Sequence, residues 1–240
     1  MNIAKRGMLL AQAAWVAKTV HLLPEPQGDR DGIINPEGEM TKPSTSAIRF
    51  VAVGDSLIGS SGVTDQSLGL TPLMAQRIAD ATGKSVQWST HAKLGSTMRR
   101  VRYRFMDELE DNIDLLFLCA GTNDALARRN LDDWRDDLSA VLDIASTKAK
   151  RVLVASSAQA FRSPRIPGML SEEILRRIDK QTEMSKQLCA SRNIAYIDMA
   201  HAPLDINEEF WASDGFHPSA HGYVILADAL IEHMDFLSEL

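Results

Sequence analysis

The sequence contains very little cysteine and few aromatic residues. Only 2 of its 240 residues are cysteine, and Phe, Trp and Tyr together make up 6%. Cys119 lies within an apolar run and Cys189 on a helix-like segment, and neither has a cysteine partner nearby in the sequence. We therefore expect no disulfide bond and two reduced thiols in the core of the protein.

Long apolar runs and an excess of positive charge are also missing. No stretch of the sequence approaches the roughly 20 consecutive apolar residues that a membrane-spanning helix needs. The formal net charge is −6, and lysine and arginine are spread along the chain, which argues against nucleic acid as the main ligand. With 45% hydrophobic residues, a chain of this length can bury one substantial core and suits one large domain.

The first 20 residues allow two interpretations. Lys5 and Arg6 precede the apolar segment GMLLAQAAWVA. A basic start followed by an apolar segment of this length has the outline of a secretory signal. Gln12 and Lys18 interrupt that outline, and apolar residues recur at helical spacing, which favours an amphipathic helix packed on the domain. The interpretation as a packed amphipathic helix predicts a cytoplasmic protein. The alternative is export, or contact with a membrane surface, through residues 1–20.

An extended arm is expected to follow this helix. Residues 24–46 are rich in proline, glycine and charge, which is typical of an arm or linker. We therefore predict that the chain is divided into an N-terminal helix and arm at 1–46 and a main domain at 47–240.

Strand-like and helix-like segments alternate from residue 47 onward. Alternation of this kind predicts an α/β fold, with a parallel sheet and helices on both of its faces. The predicted strands are 47–53, 85–92, 113–120, 151–157 and 194–199. The predicted helices are roughly 66–82, 96–110, 131–148, 171–192 and 218–236.

Glycine and polar residues gather in four loops that follow predicted strands. Because ligands of such sheets bind outside the carboxyl ends of the strands, the four loops should converge on one site. The loops are Gly54-Asp55-Ser56, Leu94-Gly95-Ser96, Gly121-Thr122-Asn123-Asp124 and Ser213-Asp214-Gly215-Phe216-His217-Pro218.

These loops contain the parts of a serine-based catalytic site. A serine hydroxyl is a weak nucleophile unless a base takes its proton, and histidine does this best when a third group orients its imidazole. Ser56 is the candidate nucleophile, His217 the candidate base and Asp214 the candidate orienting acid. An oxyanion formed by attack on a carbonyl group needs preorganised donors. The candidate donors are the main-chain N–H groups of Ser56 and Gly95 and the side-chain amide of Asn123.

The four loops, in this order and at these intervals, resemble the four sequence blocks of the SGNH/GDSL hydrolases. The strings GTND and DGFHP are the specific part of the resemblance, and the family's named residues fall on Ser56, Gly95, Asn123 and His217. Over roughly residues 47–236, the resemblance implies a flavodoxin-like three-layer α/β/α sandwich with a five-stranded parallel sheet. It also implies serine-based ester hydrolysis without a metal or other cofactor, and an Asp-x-x-His pair in the last block.

We therefore expect a serine esterase that acts on simple or lipid-like carboxylic esters through an acyl-enzyme. Its expected partner is a small-molecule ester. The alternatives on the same fold are a carbohydrate O-deacetylase, a thioesterase, and a protein that binds such a ligand without turning it over.

Other interpretations of the same loops are weaker. Residues 54–59 have the two-glycine spacing of a phosphate-binding P-loop, but Ser60 stands where that motif requires lysine. The nucleophile elbow of α/β-hydrolases would read G-x-S-x-G, and Ile58 occupies the place of its second glycine. A metal site built on the loop aspartates and His217 would lack the two-histidine helix motif or cysteine pair that usually accompanies such ligands.

Taken one at a time, the loop residues also have structural explanations. Ser56 could cap a helix and Asn123 could bridge a turn, since both residue types do this routinely. Asp55 is expected to brace its loop by accepting hydrogen bonds from main-chain N–H groups. Four loops that carry complementary groups in a consistent order favour a functional site over these separate explanations.

The loop 158–170 is the candidate for substrate selection. It mixes apolar residues such as Phe161 and Leu170 with Arg162 and Arg165. This composition fits an apolar acyl-binding wall with a cationic rim, and it equally fits an ordinary surface connection.

Overall fold

A computed structural model describes residues 3–36 and 47–240, which include six strands of one sheet. The strands are β1 (Asp31–Ile34), β2 (Ile48–Gly54), β3 (Val86–Ala92), β4 (Ile113–Cys119), β5 (Ala149–Ala155) and β6 (Ala195–Ile197). Their order is β1-β3-β2-β4-β5-β6, and all pairings except that of β1 are parallel. Without β1, this is the strand order of flavodoxin-like sheets, which confirms the fold that the resemblance implied.

The predicted count of five strands was wrong, because β1 adds a sixth. It pairs antiparallel with β3 at the edge of the sheet and lies within the segment that we predicted to be an extended arm. Its sequence is DGII, and none of its four residues is fully buried. Such a short edge strand carries too few apolar residues to show the alternation that identifies a strand. Residues 37–46, the rest of the predicted arm, lie outside the described residues.

The helices in the described ranges differ from the predicted ones mainly at two places. The predicted helix 96–110 is divided into a short α-helix, a π-helical turn at Val101–Phe105 and a 3-10 turn at Met106–Glu108. A helix at 122–126 was not predicted, because five residues are too few to show helical periodicity. The α-helices are α1 (Ile3–Thr19), α2 (Leu70–Thr82), α3 (Met98–Arg100), α4 (Thr122–Leu126), α5 (Leu131–Lys148), α6 (Gly168–Ala190) and α7 (Ala220–Glu232).

Apolar side chains fill both faces of the sheet. One cluster packs α2 and α7 against residues such as Phe50 and Leu115, and a second packs α3 and α5 against residues such as Val53 and Leu116. Because successive side chains of a strand point to opposite faces, β2 and β4 are buried on both sides. The result is a three-layer α/β/α sandwich. Both cysteines are buried in these clusters and unpaired.

The N-terminal helix α1 packs on α6 through a narrow contact. Leu9 is buried in a third apolar cluster, and Gln12 Oε1 accepts a hydrogen bond from the main-chain N–H of Leu170 (2.9 Å). Met8 and Trp15, by contrast, remain about half exposed. In the part of the chain that the structure describes, no helix combines the length and apolar character that crossing a bilayer would require.

Candidate active site

The turn that carries Ser56 follows directly from β2. Glycine is required at position 54, since a Cβ there would lie 2.0 Å from the carbonyl oxygen of Cys119 on β4. The N–H of Ser61 closes the turn by donating to the carbonyl of Ser56 (2.9 Å). The carbonyl of Ser61 in turn accepts a hydrogen bond from the buried hydroxyl of Tyr223 on α7 (2.6 Å). These contacts hold Ser56, which is half-buried, at the carboxyl edge of the sheet.

His217 and Asp214 lie together in the loop between β6 and α7. Nδ1 of His217 is 2.8 Å from Oδ2 of Asp214, and both side chains are buried. Oδ1 of Asp214 accepts the main-chain N–H groups of Phe216 (2.8 Å) and His217 (2.9 Å). Although burial alone would raise the pKa of Asp214, the hydrogen bonds from His217 and Phe216 hold it well below its usual range. The charged carboxylate favours the proton on Nδ1, which leaves Nε2 of His217 as an acceptor.

His217 and Ser56 line the same small cavity. Nε2 of His217 is buried and has no hydrogen-bond partner within the described ranges. The cavity has a volume of about 40 Å³ and is also walled by Leu57, Ala158 and Trp211. A buried acceptor without a partner costs free energy, and a hydroxyl group placed in this cavity would satisfy it.

The loops that follow β3 and β4 are joined to each other. The side-chain amide of Asn123 donates to the carbonyl of Ser96 (2.9 Å), and Oδ2 of Asp124 accepts the N–H of Met98 (2.9 Å). Because β3 and β4 are the two neighbours of β2, these bonds connect the loops across the carboxyl end of the strand that leads to Ser56.

Two main-chain donors near this junction are unused. The N–H groups of Ser56 and Gly95 donate to no acceptor in residues 3–36 or 47–240. Gly95 has a φ of +78°, a conformation that favours glycine. Asn123 and Gly95 do not line the cavity itself. The structure thus brings Ser56, His217 and Asp214 together. It places Gly95 and Asn123 on the two joined loops that follow β3 and β4.

Asp55 is buried next to the candidate nucleophile. Its Oδ1 accepts the N–H of Leu57 (3.1 Å), which is the bracing bond expected from the sequence. Burial raises the pKa of Asp55 to about 6, and the N–H groups of Leu57 and Gly121 and the nearby His217 only partly offset this effect. Asp55 therefore titrates in the range usual for histidine.

Several residues that line the cavity were not predicted. Ser157 follows β5, while Phe210 and Trp211 precede the His217 loop. None of them belongs to a motif, and their distance from Ser56 in the sequence gives no sign that they share a cavity with it. The adjacent aromatic pair was the one available signal, since the sequence has few aromatic residues.

The loop 158–170 supplies only a small part of the cavity wall. Residues 158–160 line the cavity. The larger apolar residues, including Phe161 and Ile166, instead pack with α1 and α6 in the third apolar cluster. The sequence pattern could not distinguish a place in the cavity wall from a place in this cluster, because both bury apolar side chains.

A second, open groove adjoins the cavity at Trp211, which lines both. Arg162 and Arg165 lie along this groove, which has a volume of about 570 Å³. The loop that carries them is tied to the His217 loop, because the Ser163 hydroxyl donates to the carbonyl of Gly215 (2.6 Å).

Comparisons with known proteins match the sequence to one family and the fold to several solved structures. A sequence model of the GDSL-like Lipase/Acylhydrolase family matches residues 52–225. Among curated proteins, no sequence matches the chain significantly. A lipase/acylhydrolase from Enterococcus faecalis is 23% identical, with a TM-score of 0.58 over 78% of this chain and 95% of that chain.

Two esterase structures are similar at lower identity. The M. smegmatis aryl esterase is 19% identical, with a TM-score of 0.60 over 80% of this chain and 100% of that chain. A catalytic mutant of an acetylxylan esterase from Geobacillus stearothermophilus is 16% identical, with a TM-score of 0.58 over 81% of this chain and 97% of that chain. At these identities the likeness establishes the fold.

Proposed function

Because the chain belongs to the GDSL-like lipase/acylhydrolase family, we propose that it is a serine esterase that hydrolyses carboxylic esters through an acyl-enzyme. The arrangement of His217 carries the proposal. Its Nδ1 is held by Asp214 at 2.8 Å, while its Nε2 is buried without a partner in the described chain, at the cavity that Ser56 lines. A histidine held in this way can take the proton of a serine hydroxyl.

The first half-reaction transfers the acyl group to Ser56. Nε2 of His217 takes the hydroxyl proton, and Oγ of Ser56 attacks the carbonyl carbon of the ester. When the intermediate collapses, the bond to the alcohol oxygen breaks and Nε2 gives its proton to that oxygen. Asp214 stays charged throughout and stabilises the imidazolium that forms between the two proton transfers.

The second half-reaction releases the acid. A water molecule gives a proton to Nε2 of His217 and attacks the acyl carbonyl. The bond between the acyl group and Oγ of Ser56 then breaks, and the proton returns to Oγ. The enzyme regains its starting state without any other reactant.

Three donors are proposed to hold the oxyanion in both half-reactions. They are the main-chain N–H groups of Ser56 and Gly95, which are unused in the described chain, and the side-chain amide of Asn123. An amide nitrogen carries two N–H groups, so Asn123 can keep its bond to Ser96 and still donate to substrate. Donors that are fixed before the reaction stabilise the developing charge without reorganising.

The size of the cavity favours a short acyl group. Its volume of about 40 Å³ corresponds to only a few water-sized groups, because one buried water needs roughly 10–15 Å³ of such space. Phe210 and Trp211 close one side of the cavity as an edge-to-face pair with centroids 5.0 Å apart. We therefore propose an acetyl or similarly short acyl group as the acid part of the substrate.

A carbohydrate O-deacetylase is the second candidate function. The groove beside the cavity is open and more than ten times larger, and it carries Asn207, Glu208 and Arg165 next to Trp211. Polar side chains beside an indole ring suit a hydroxyl-rich alcohol, because the ring packs against the sugar while the polar groups bind its hydroxyls. The acetylxylan esterase among the similar structures has the same fold.

Two substitutions test the assignment of an activated serine. We expect Ser56→Ala and His217→Ala each to lower kcat for p-nitrophenyl acetate by at least about 10³-fold while unfolding remains cooperative. A fluorophosphonate probe, which labels only activated serines, should modify the natural protein and not Ser56→Ala. Ser191→Ala and His221→Ala are matched controls at exposed positions and should keep full activity. A natural protein that resists the probe would indicate a binding protein instead.

A further inference from the structure

We propose that the segment Leu23–Arg30, here called the brace, positions both the orienting acid and the oxyanion loop of the site; this inference rests on the proposed esterase function. The brace precedes residues 52–225, where the chain matches its family, and none of its residues was predicted to take part in the site. It contacts two loops that come after β3 and after β6, and each contact reaches a residue beside the proposed chemistry.

The first contact of the brace is with Asp214. The main-chain N–H of Leu23 donates to Oδ2 of Asp214 (3.2 Å), the same oxygen that accepts Nδ1 of His217 (2.8 Å). The other oxygen, Oδ1, accepts two N–H groups from the carboxylate's own turn. The brace thus supplies the fourth donor, from 191 residues away in the sequence, and fixes the oxygen that orients the imidazole.

The second contact of the brace is with the loop of Gly95. Oε1 of Glu25 accepts the N–H of Leu94 (2.7 Å), the residue directly before Gly95. Oε2 of Glu25 is paired with Arg30 (3.1 Å), whose Nη1 donates to the carbonyl of Ala92 (2.6 Å) at the end of β3. The peptide group between Lys93 and Leu94, one peptide before the N–H of Gly95, is therefore held by a charged acceptor that is itself held in place.

The brace is anchored independently of these contacts. The N–H of Gln27 donates to the carbonyl of Thr64 (3.1 Å), and its carbonyl accepts the N–H of Gln66 (2.8 Å). The carbonyl of Arg30 accepts the N–H of Thr90 on β3 (2.7 Å), immediately before β1 joins the sheet. A segment fixed at these points can hold a catalytic loop in one position.

This geometry predicts an effect on the rate of reaction more than on the binding of substrate. The brace lines neither the cavity nor the adjoining groove. Its hydrogen bonds act through Leu94 and Asp214, so Glu25 and Leu23 are positioning residues. If they loosen, donors and base are less well placed when the oxyanion forms, and kcat falls while KM changes little.

Substitutions of Glu25 test the contact with the oxyanion loop. We expect Glu25→Ala to lower kcat for p-nitrophenyl acetate about tenfold, with KM within about twofold of the natural value. Glu25→Gln keeps an oxygen acceptor for the N–H of Leu94 but turns its amide N–H₂ group towards Arg30, so it should lose less kcat than Glu25→Ala does. Glu25→Asp keeps the charge but shortens the side chain, so its kcat should fall as that of Glu25→Ala does. Glu25→Asp replaces Glu25→Ala in the test if Glu25→Ala fails to fold. Glu110→Ala removes another carboxylate that pairs with an arginine, away from the site, and should leave kcat unchanged.

Leu23→Pro removes the N–H that reaches Asp214, and Leu22→Pro is its control because the N–H of Leu23 remains. We expect only Leu23→Pro to lower kcat, by about tenfold. Thermal unfolding of every variant identifies the temperatures at which all are folded, and rates are compared there.

The brace and the esterase assignment fail in different ways. If the natural protein is not labelled by the fluorophosphonate probe, the esterase assignment is wrong, and so is the positioning role proposed for the brace. If the natural protein is labelled and folded Glu25→Ala and Glu25→Asp are labelled just as fast, only the brace is wrong. A change in KM with kcat unaltered would also overturn the role of the brace. So would a fall in kcat of Glu25→Gln as large as that of Glu25→Ala.

Discussion

The amide of Asn123 is hydrogen-bonded to the carbonyl of Ser96 at 2.9 Å, so a residue that follows β4 is held by the loop that follows β3. One N–H of the amide holds the side chain in place, and the second N–H is left to donate to a substrate. The same bond therefore fixes a donor and links two loops of the proposed oxyanion site.

Removal of this amide should weaken catalysis without unfolding the protein. We expect Asn123→Ala to lower kcat for p-nitrophenyl acetate by about 10²–10³-fold, as for other oxyanion donors, with a small change in KM. Asn130→Ala is the matched control. Asn130 caps α5 by accepting the N–H of Asp132, so its loss should cost about 1 kcal/mol of stability and leave kcat unchanged. Equal kcat values in the two variants would remove Asn123 from the oxyanion site.

Replacement of Asp214 by asparagine should disturb the proton positions on His217. An asparagine amide can donate to Nδ1, which would place the imidazole proton on Nε2 and prevent it from accepting the proton of Ser56. We expect Asp214→Asn to lower kcat by at least about 10²-fold, and by less than Ser56→Ala lowers it. The exposed Asp205→Asn is the control. Steady-state rates between pH 6 and 9 provide the measurement, and an unchanged rate would contradict the role of Asp214.

The stability of the protein should depend on pH through Asp55. Its pKa of about 6 in the folded protein lies above the ordinary value of 3.8, so the folded state binds this proton more tightly than the unfolded chain does. The resulting stabilisation is fully present below about pH 4 and is lost as the pH rises through about 6, with a size of about 3 kcal/mol.

Asp55→Asn tests this pH dependence because asparagine does not titrate. Between pH 4 and pH 7, the free energy of unfolding of Asp55→Asn should fall by about 2 kcal/mol less than that of the natural protein. Urea unfolding at each pH unit in this range measures the difference. Parallel curves for the two proteins would show that the Asp55 carboxyl group titrates normally.

The length of the acyl chain should limit the reaction. Because the cavity is small, we expect kcat/KM to be highest for acetyl esters and to fall by about tenfold or more for each methylene group that no longer fits. Trp211→Ala removes part of the wall and should raise kcat/KM for butyrate relative to acetate. Trp15→Ala, at a half-exposed position of α1 that does not line the cavity, should not change this ratio. A panel of p-nitrophenyl esters measures it, and equal kcat/KM across chain lengths would contradict the size limit.

The parts of the site that the sequence revealed are those with distinctive side chains at fixed spacing. Ser56 and His217 stand in motifs, and the alternation of elements places their loops at one edge of the sheet. The brace was not predicted because it acts on Asp214 through a main-chain N–H, which every residue except proline possesses.

Other features were missed for similar physical reasons. The strand β1 is too short to show alternation, and Trp211 reaches the cavity through a long connection with no motif of its own. The division of the chain at residue 46 and the cytoplasmic location stay predictions.

Burial of both cysteines makes the natural protein convenient for site-directed labelling. Burial raises the pKa of Cys189 to about 12 and that of Cys119 well above its ordinary value, and only the thiolate form of cysteine reacts with maleimides. A single new thiol at an exposed position of the groove, such as Ser213→Cys, can therefore be labelled without first removing the two natural ones. A fluorophore attached there would sense the arrival of the alcohol part of a substrate in an otherwise natural chain.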